Sequence, residues 1–186
     1  DTGGRVYAVG DLMTLSNLLS GLISYIVSST AISLTVSLLV LATLTRRIGQ
    51  SLLVILPVGL AGSWVVGSMA VLGINWNVLT IMITALTIGL GIDYSIHVWR
   101  RFESNRASGM AIWPAMRDMY AHTGSALLMS AGTTICGFMV LLLSPIPVIR
   151  DFGVVSSISV AFSLILALLV LPGLLAAEVR TNGNGS

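Results

Sequence analysis

Apolar residues fall into long runs parted by short polar breaks, and the runs exceed what a helix packed in a soluble core requires. Leu12 to Thr45 carries no charge and no proline, which allows one helix of 34 residues. At about 1.5 Å per residue such a helix reaches ~51 Å, well beyond a hydrocarbon core of ~30 Å. Its first part sets Leu12, Leu15, Leu18, Leu19, Leu22 and Ile23 among Thr, Ser and Asn, an amphipathic pattern. Residues 12–25 are therefore expected outside the bilayer and a first span over 26–45.

Arg46-Arg47 ends that span, and a second is expected over 51–72. Pro57 lies in its first third, and Gly59, Ser63 and Gly67 recur every four residues as a seam of small side chains. Such a seam lets another backbone approach closely. Gly73-Ile74-Asn75-Trp76-Asn77 reads as a tight turn with an interfacial Trp. The third span, 78–99, stops at Arg100-Arg101. The stretch from Phe102 to His122 is the longest polar connector, and Met110, Ile112, Trp113, Met116, Met119 and Tyr120 give it the pattern of an interfacial helix over 107–121. A fourth span over 124–143 ends at Ser144-Pro145-Ile146-Pro147, and a fifth covers 152–177. Residues 178–186 read as a polar tail. Residues 1–11 hold a short alternating run, Arg5 to Val9, read as the last strand of an extracytoplasmic domain. With Asp at position 1, the chain is expected to be a piece of something longer.

Composition agrees with a membrane protein: 55% of residues are hydrophobic and 9% charged, where soluble domains carry roughly 25% charged residues. The formal charge of +2 forms no patch, so nucleic-acid binding is excluded. Arginine placement sets the orientation. Arg46, Arg47, Arg100, Arg101, Arg106, Arg117 and Arg180 lie on one side, and Arg5 and Arg150 on the other. The positive-inside bias puts the first group in the cytoplasm, with the N-terminus outside and the C-terminus inside. An odd number of spans is then required, and five are counted. Cys136, the single cysteine, reads as a small buried hydrophobe.

The third span carries the candidate chemistry. Asp93 is the one acidic residue inside any long apolar run. Holding an ionisable side chain there costs on the order of 2.5–3.5 kcal/mol, so such residues are read as functional by default. Burial pushes a lone carboxyl towards neutrality unless a cation or water opposes it, and a group so placed can load and release a proton. At 100° per residue Met82, Leu86, Gly89, Asp93, His97 and Arg100 share one face. Thr80, Thr84, Thr87, Gly91 and Tyr94 fall on roughly the opposite one. Gly89 leaves room beside the carboxyl for a helix or water, and His97, one turn on, could pass protons to the cytoplasm. A polar end-of-helix role for His97 and a structural one for Asp93 are the alternatives. Ser130, Thr133 and Thr134 in the fourth span could bond Asp93 or Tyr94, or equally their own backbone.

Gly89-Leu90-Gly91-Ile92-Asp93-Tyr94-Ser95-Ile96-His97, followed by Arg101, resembles the fourth or tenth helix of the resistance–nodulation–division (RND) superfamily, in its MMPL-type and archaeal exporter branch. Leu56-Pro57-Val58, Gly73 to Asn77, Thr133 to Phe138 and Leu171 to Leu175 match as well, in order along the chain. The resemblance implies an all-α membrane protein, five helices of an RND-type transmembrane repeat, and more closely helices eight to twelve than two to six. It implies a multi-pass protein of the cell membrane: a secondary transporter, with no enzymatic role, exporting lipids or other hydrophobic molecules on the proton gradient. Asp93 and Tyr94 would be half of an intramembrane proton relay, with His97, Thr133 and Thr134 beside it and Gly89 and Gly91 giving packing room. The other half would come from the missing N-terminal repeat. No cofactor is implied; the expected partners are protons, membrane lipids, a hydrophobic substrate and the other half, with a homo-oligomer left open. The competing readings are a sterol-sensing-like or regulatory binding module and a protein-translocation accessory subunit of the same superfamily. An intramembrane aspartyl protease is ruled out, because Gly89-x-Gly91-x-Asp93 is one residue too long and no second membrane-embedded Asp exists. A metal site at Asp93 and His97 lacks a third ligand at that depth.

Overall fold

The computed structural model describes residues 28, 31–33, 35–43, 48–74 and 77–183, and these are all-helical apart from short turns. The expected strand at 5–9, the amphipathic stretch at 12–25 and the Arg46-Arg47 break lie outside the described residues. Of the first span, the described part is the apolar helix α1, Ala31–Thr43. It is followed by α2 (Ile48–Leu72), α3 (Val78–Ala107) and α4 (Ile112–Met119). A single π-helical turn, Tyr120–Gly124, joins α4 to α5 (Ser125–Val140), and a 3₁₀ turn, Leu141–Leu143, precedes α6 (Pro147–Gly183). Four helices among the described residues are long and apolar enough to cross a bilayer: Gly49–Leu72, Met82–Ala107, Ile112–Leu143 and Pro147–Val179.

Helix ends follow from local chemistry. The α2 terminus is closed by Gly73 at φ 66°, with Ile74 N donating to Met69 O at 3.0 Å and Gly73 N to Ala70 O at 3.4 Å. This is the Schellman arrangement, in which a left-handed residue satisfies the last carbonyls. Asn77 then starts α3 with a capping box: its side chain accepts from Thr80 N at 2.9 Å, and Thr80 Oγ1 accepts from Asn77 N at 2.7 Å.

The third helix does not stop at Arg100-Arg101. Arginine is a good helix former whose stem can lie along apolar surface, so the helix runs on to Ala107. Gly109, at φ 87°, ends it with the same pair of bonds, Met110 N to Asn105 O at 3.2 Å and Gly109 N to Arg106 O at 3.0 Å. The connector helix is likewise shorter than 107–121 and continuous with the following span. Thr181 to Gly183 prolong α6.

α6 is the hub, packing on α2, α3 and α5, while α2 also packs on α3. Its apolar residues run all round the helix, as befits an element buried on several sides. Val155, Val160, Ala167 and Leu171 are fully buried in it. Where α6 crosses the end of α5, Gly153 permits a contact no other residue would: a Cβ there would stand 2.7 Å from Phe138 O and 2.9 Å from Leu141 Cβ. Phe138 and Phe152 meet edge to face beside it, ring centres 5.9 Å apart. At the other end, Ala115 and Met119 of α4 are buried with Phe102 of α3 and Leu171 and Leu175 of α6. The outward surface is apolar, with Ile32, Leu52, Trp64, Val71, Met129 and Leu169 among its exposed side chains. A soluble protein rarely shows so much contiguous apolar surface, and a lipid-facing one does.

Candidate functional site

The two faces of α3 have opposite fates. Its hydroxyl and small-residue face is turned inward. Thr80, Thr87 and Ser95 are buried, as is Tyr94, which packs in the main core with Val98 and Trp99. Gly91 marks the closest approach: a Cβ there would lie 3.2 Å from Val58 Cγ1 on α2 and 3.5 Å from Ser163 Oγ on α6. The absence of a side chain at Gly91 therefore sets the spacing of three helices at once.

Thr87 closes the same seam. Its hydroxyl is 2.7 Å from Ile83 O and 2.6 Å from Ser159 Oγ. A threonine has one hydroxyl proton; with it donated to Ile83 O, Ser159 is the donor across the helix pair. Elsewhere in the interior, Ser95, Ser156 and Ser163 bury hydroxyls that have no partner among the described residues, as does the Trp99 indole N–H. Serines 156, 159 and 163 lie at i, i+3 and i+7, one stripe of α6. Sequence reasoning placed the hydroxyl seam on α3 but missed this stripe as its counterpart. The spacing was the available signal.

The acidic face is turned outward. Met82, Gly89, Asp93, His97 and Arg100 are all exposed, with Leu86 half-buried between them. Among the described residues neither Asp93 nor His97 has a hydrogen-bond or ion-pair partner. A Cβ added at Gly89 would meet nothing within 4 Å, so the surface beside the carboxyl is open. Asp93 and Tyr94 are thus neighbours in sequence that point to different surroundings, one outward and one into the core.

Thr133 and Thr134 are not brought to Asp93. Both hydroxyls donate to Ser130 O, at 2.8 and 2.9 Å, within α5. In a helix surrounded by apolar groups this back-bonding satisfies a hydroxyl locally. The main partner of α5 is α6. Cys136 is exposed on α5, against the expectation of a buried position.

Beyond the acidic face, α3 ends in a polar clasp. Arg101 Nε and Nη2 lie 2.9 and 2.8 Å from Asp118 Oδ2. Asn105, buried, donates to the same oxygen at 2.8 Å and to Ala115 O at 3.0 Å. His122 Nδ1 is 3.0 Å from Asp118 Oδ1. The clasp fixes α4 to α3, and sequence reasoning had not singled out Asn105 or Asp118.

Comparison with known proteins supplies the family. The chain is 34% identical over 152 residues, 82% of its length, to a protein of Methanocaldococcus jannaschii named as a membrane protein, MJ1562. It is 27% identical over 68% of its length to human Protein patched homolog 2, and 27% over 66% to zebrafish (Danio rerio) Protein patched homolog 1. It spans 39% of the archaeal relative and 10% and 11% of the two Patched proteins. No solved structure matches it. The family model described as MMPL matches residues 1–182, nearly the whole chain and all the helices just described. A helical membrane bundle with its glycine-flanked Asp93-Tyr94 pair at mid-helix, this chain belongs to the MMPL family.

Proposed function

We infer that the chain is one half of an exporter of lipids or other hydrophobic molecules in the cell membrane, driven by the proton gradient. Asp93 is the group that takes up and releases the proton, and Tyr94 and His97 are its neighbours in the relay. The observation that carries this reading is the outward, unpartnered face of Asp93 and His97, on a helix whose other face is locked against α2 and α6. A carboxyl in a bilayer needs a partner, water or a proton. Placing it on an open face leaves that partner to be supplied by a helix from the other half. Thr133 and Thr134 enter only if α5 shifts, since their hydroxyls are engaged within their own helix. By the arginine count, the connector containing α4 faces the cytoplasm.

The test joins this chain to its other half in proteoliposomes with an imposed pH gradient and follows efflux of a hydrophobic dye. Asp93→Asn keeps the shape and removes the titration, so efflux should fall to background. Undiminished efflux would reject the relay. Similarity to the Patched proteins supports a second reading, a regulatory membrane module that binds an apolar molecule without pumping it. In that case the joined protein binds the dye and does not move it against its gradient.

A further inference from the structure

Four residues advance a helix by about 400°, so a row of residues at i, i+4 and i+8 drifts about 40° round the axis at each step. Asp93, His97 and Arg101 form such a row on α3. It begins on the outward face at Asp93, passes through exposed His97, and by Arg101 has come round to the side on which α4 packs. There Arg101 Nη2 lies 2.8 Å from Asp118 Oδ2, and His122 Nδ1 lies 3.0 Å from Asp118 Oδ1. The row that starts at the intramembrane carboxyl therefore ends on a carboxylate–imidazole pair. Each step along α3 is about 6 Å, a gap that one or two bridging waters span.

The pair is arranged to exchange protons with water. His122 belongs to the π-helical turn, a winding that recurs at functional sites. Its Nδ1 also lies 3.1 Å from the Asp118 carbonyl oxygen. Both neighbours of Nδ1 are acceptors, so Nδ1 carries a hydrogen and Nε2 is the nitrogen that titrates. The His122 side chain is 66% exposed and that of Asp118 24%, so the ring stands at the surface with the carboxylate behind it. Asp118 is held from α3 by Arg101 at 2.9 Å and by buried Asn105 at 2.8 Å, and stays in place whichever state the imidazole holds. Arg101 keeps its own proton throughout, and its charge is met by Asp118. Arg100, Glu103 and Arg117 are exposed and bond neither member of the pair. α5 carries no charged residue. On α6 the turn meets Leu168, and the nearest charged residue of that helix, Glu178, lies about 15 Å further along it.

We propose that His122, positioned by Asp118, is the proton port of the Asp93 site on the α4 side of the membrane. A proton leaving the Asp93 carboxyl passes through water to His97, through water again to His122 Nε2, and from Nε2 to bulk. Each acceptor gives up one proton for each it takes, and no other bond changes. The proposal rests on the relay reading and adds to it the end of the route. By the arginine count that end is cytoplasmic.

The test uses the joined protein in liposomes, selected through a tag after residue 186 for the orientation with that end outside. Leu175 near the end of α6 packs with Ala115 and Met119 of α4, so α4 is then outside as well. Light releases protons from a membrane-impermeant caged acid in the outer solution. Time-resolved infrared spectroscopy follows the protonated-carboxyl band that Asp93→Asn removes. His122→Gln keeps a donor within reach of Asp118 and cannot titrate. In that variant the band should rise about tenfold more slowly or beyond, reach the same final height, and regain its rate when imidazole is added outside. An unchanged rate overturns the port and leaves the relay reading standing. Slowing that imidazole does not restore overturns it too, and assigns His122 a structural role. Unaltered protein that shows no such band overturns the relay reading and the port together.

Discussion

Thr87 on α3 and Ser159 on α6 hold their hydroxyl oxygens 2.6 Å apart with both side chains buried. Hydrogen bonds between membrane helices contribute about 0.6 kcal/mol on average and up to about 1.7. Thr87→Val and Ser159→Ala should each destabilise the bundle, and the double variant should cost less than the two together by roughly that amount. Unfolding of the four proteins in mixed micelles measures it. A coupling of zero would mean that each hydroxyl is satisfied as well within its own helix.

Gly153 predicts a larger loss from a smaller change. The nearest atom to an added methyl is a backbone oxygen, Phe138 O at 2.7 Å, which cannot rotate away. Gly153→Ala should destabilise by about 1–3 kcal/mol, the usual range for overpacking, despite the gain in helix propensity of up to about 1 kcal/mol. Gly89→Ala is the control: nothing lies within 4 Å of its added methyl, so the isolated chain should be unchanged or slightly more stable. Equal effects at the two sites would contradict the described crossing of α5 and α6.

Asn105 is buried and bonds both Ala115 O and Asp118 Oδ2. Asn105→Leu takes the donor from Ala115 O and one of the donors from Asp118 Oδ2, which keeps Arg101, at a cost of about 1–3 kcal/mol in all. Protease cleavage between α3 and α4 should become faster while cleavage at the far end of α6 does not. Uniform acceleration would indicate a global loss of packing instead.

Asp93→Asn should separate folding from function. The side chain is exposed and has no partner among the described residues, so stability should change by no more than about 0.5 kcal/mol. Efflux by the joined protein should disappear. A large loss of stability would assign Asp93 a structural role.

Much of this arrangement was legible in the chain because hydropathy alone marks helices that must cross a bilayer. The two faces of α3 followed from a 100° step, and the structure turns one in and one out. What the pattern did not yield was partnership. A hydroxyl in a membrane helix can bond its own backbone or a neighbouring helix, and Thr133 and Thr87 look alike in sequence. The first bonds Ser130 O within α5, the second reaches Ser159. Overshoot of α3 past Arg101 has a similar origin, since charge ends a span without ending a helix.

The exposure of Cys136 turns an incidental side chain into a reporter. It is the one sulfhydryl in 186 residues, and it stands on the bare flank of α5. A membrane-permeant maleimide is attacked by the thiolate, which hydrocarbon disfavours. Alkylation should therefore be slow while that flank meets only lipid, and faster once another polypeptide brings polar groups or water to it. The rate of a single alkylation thus reads out, in unmodified protein, whether the bundle has found company on that side.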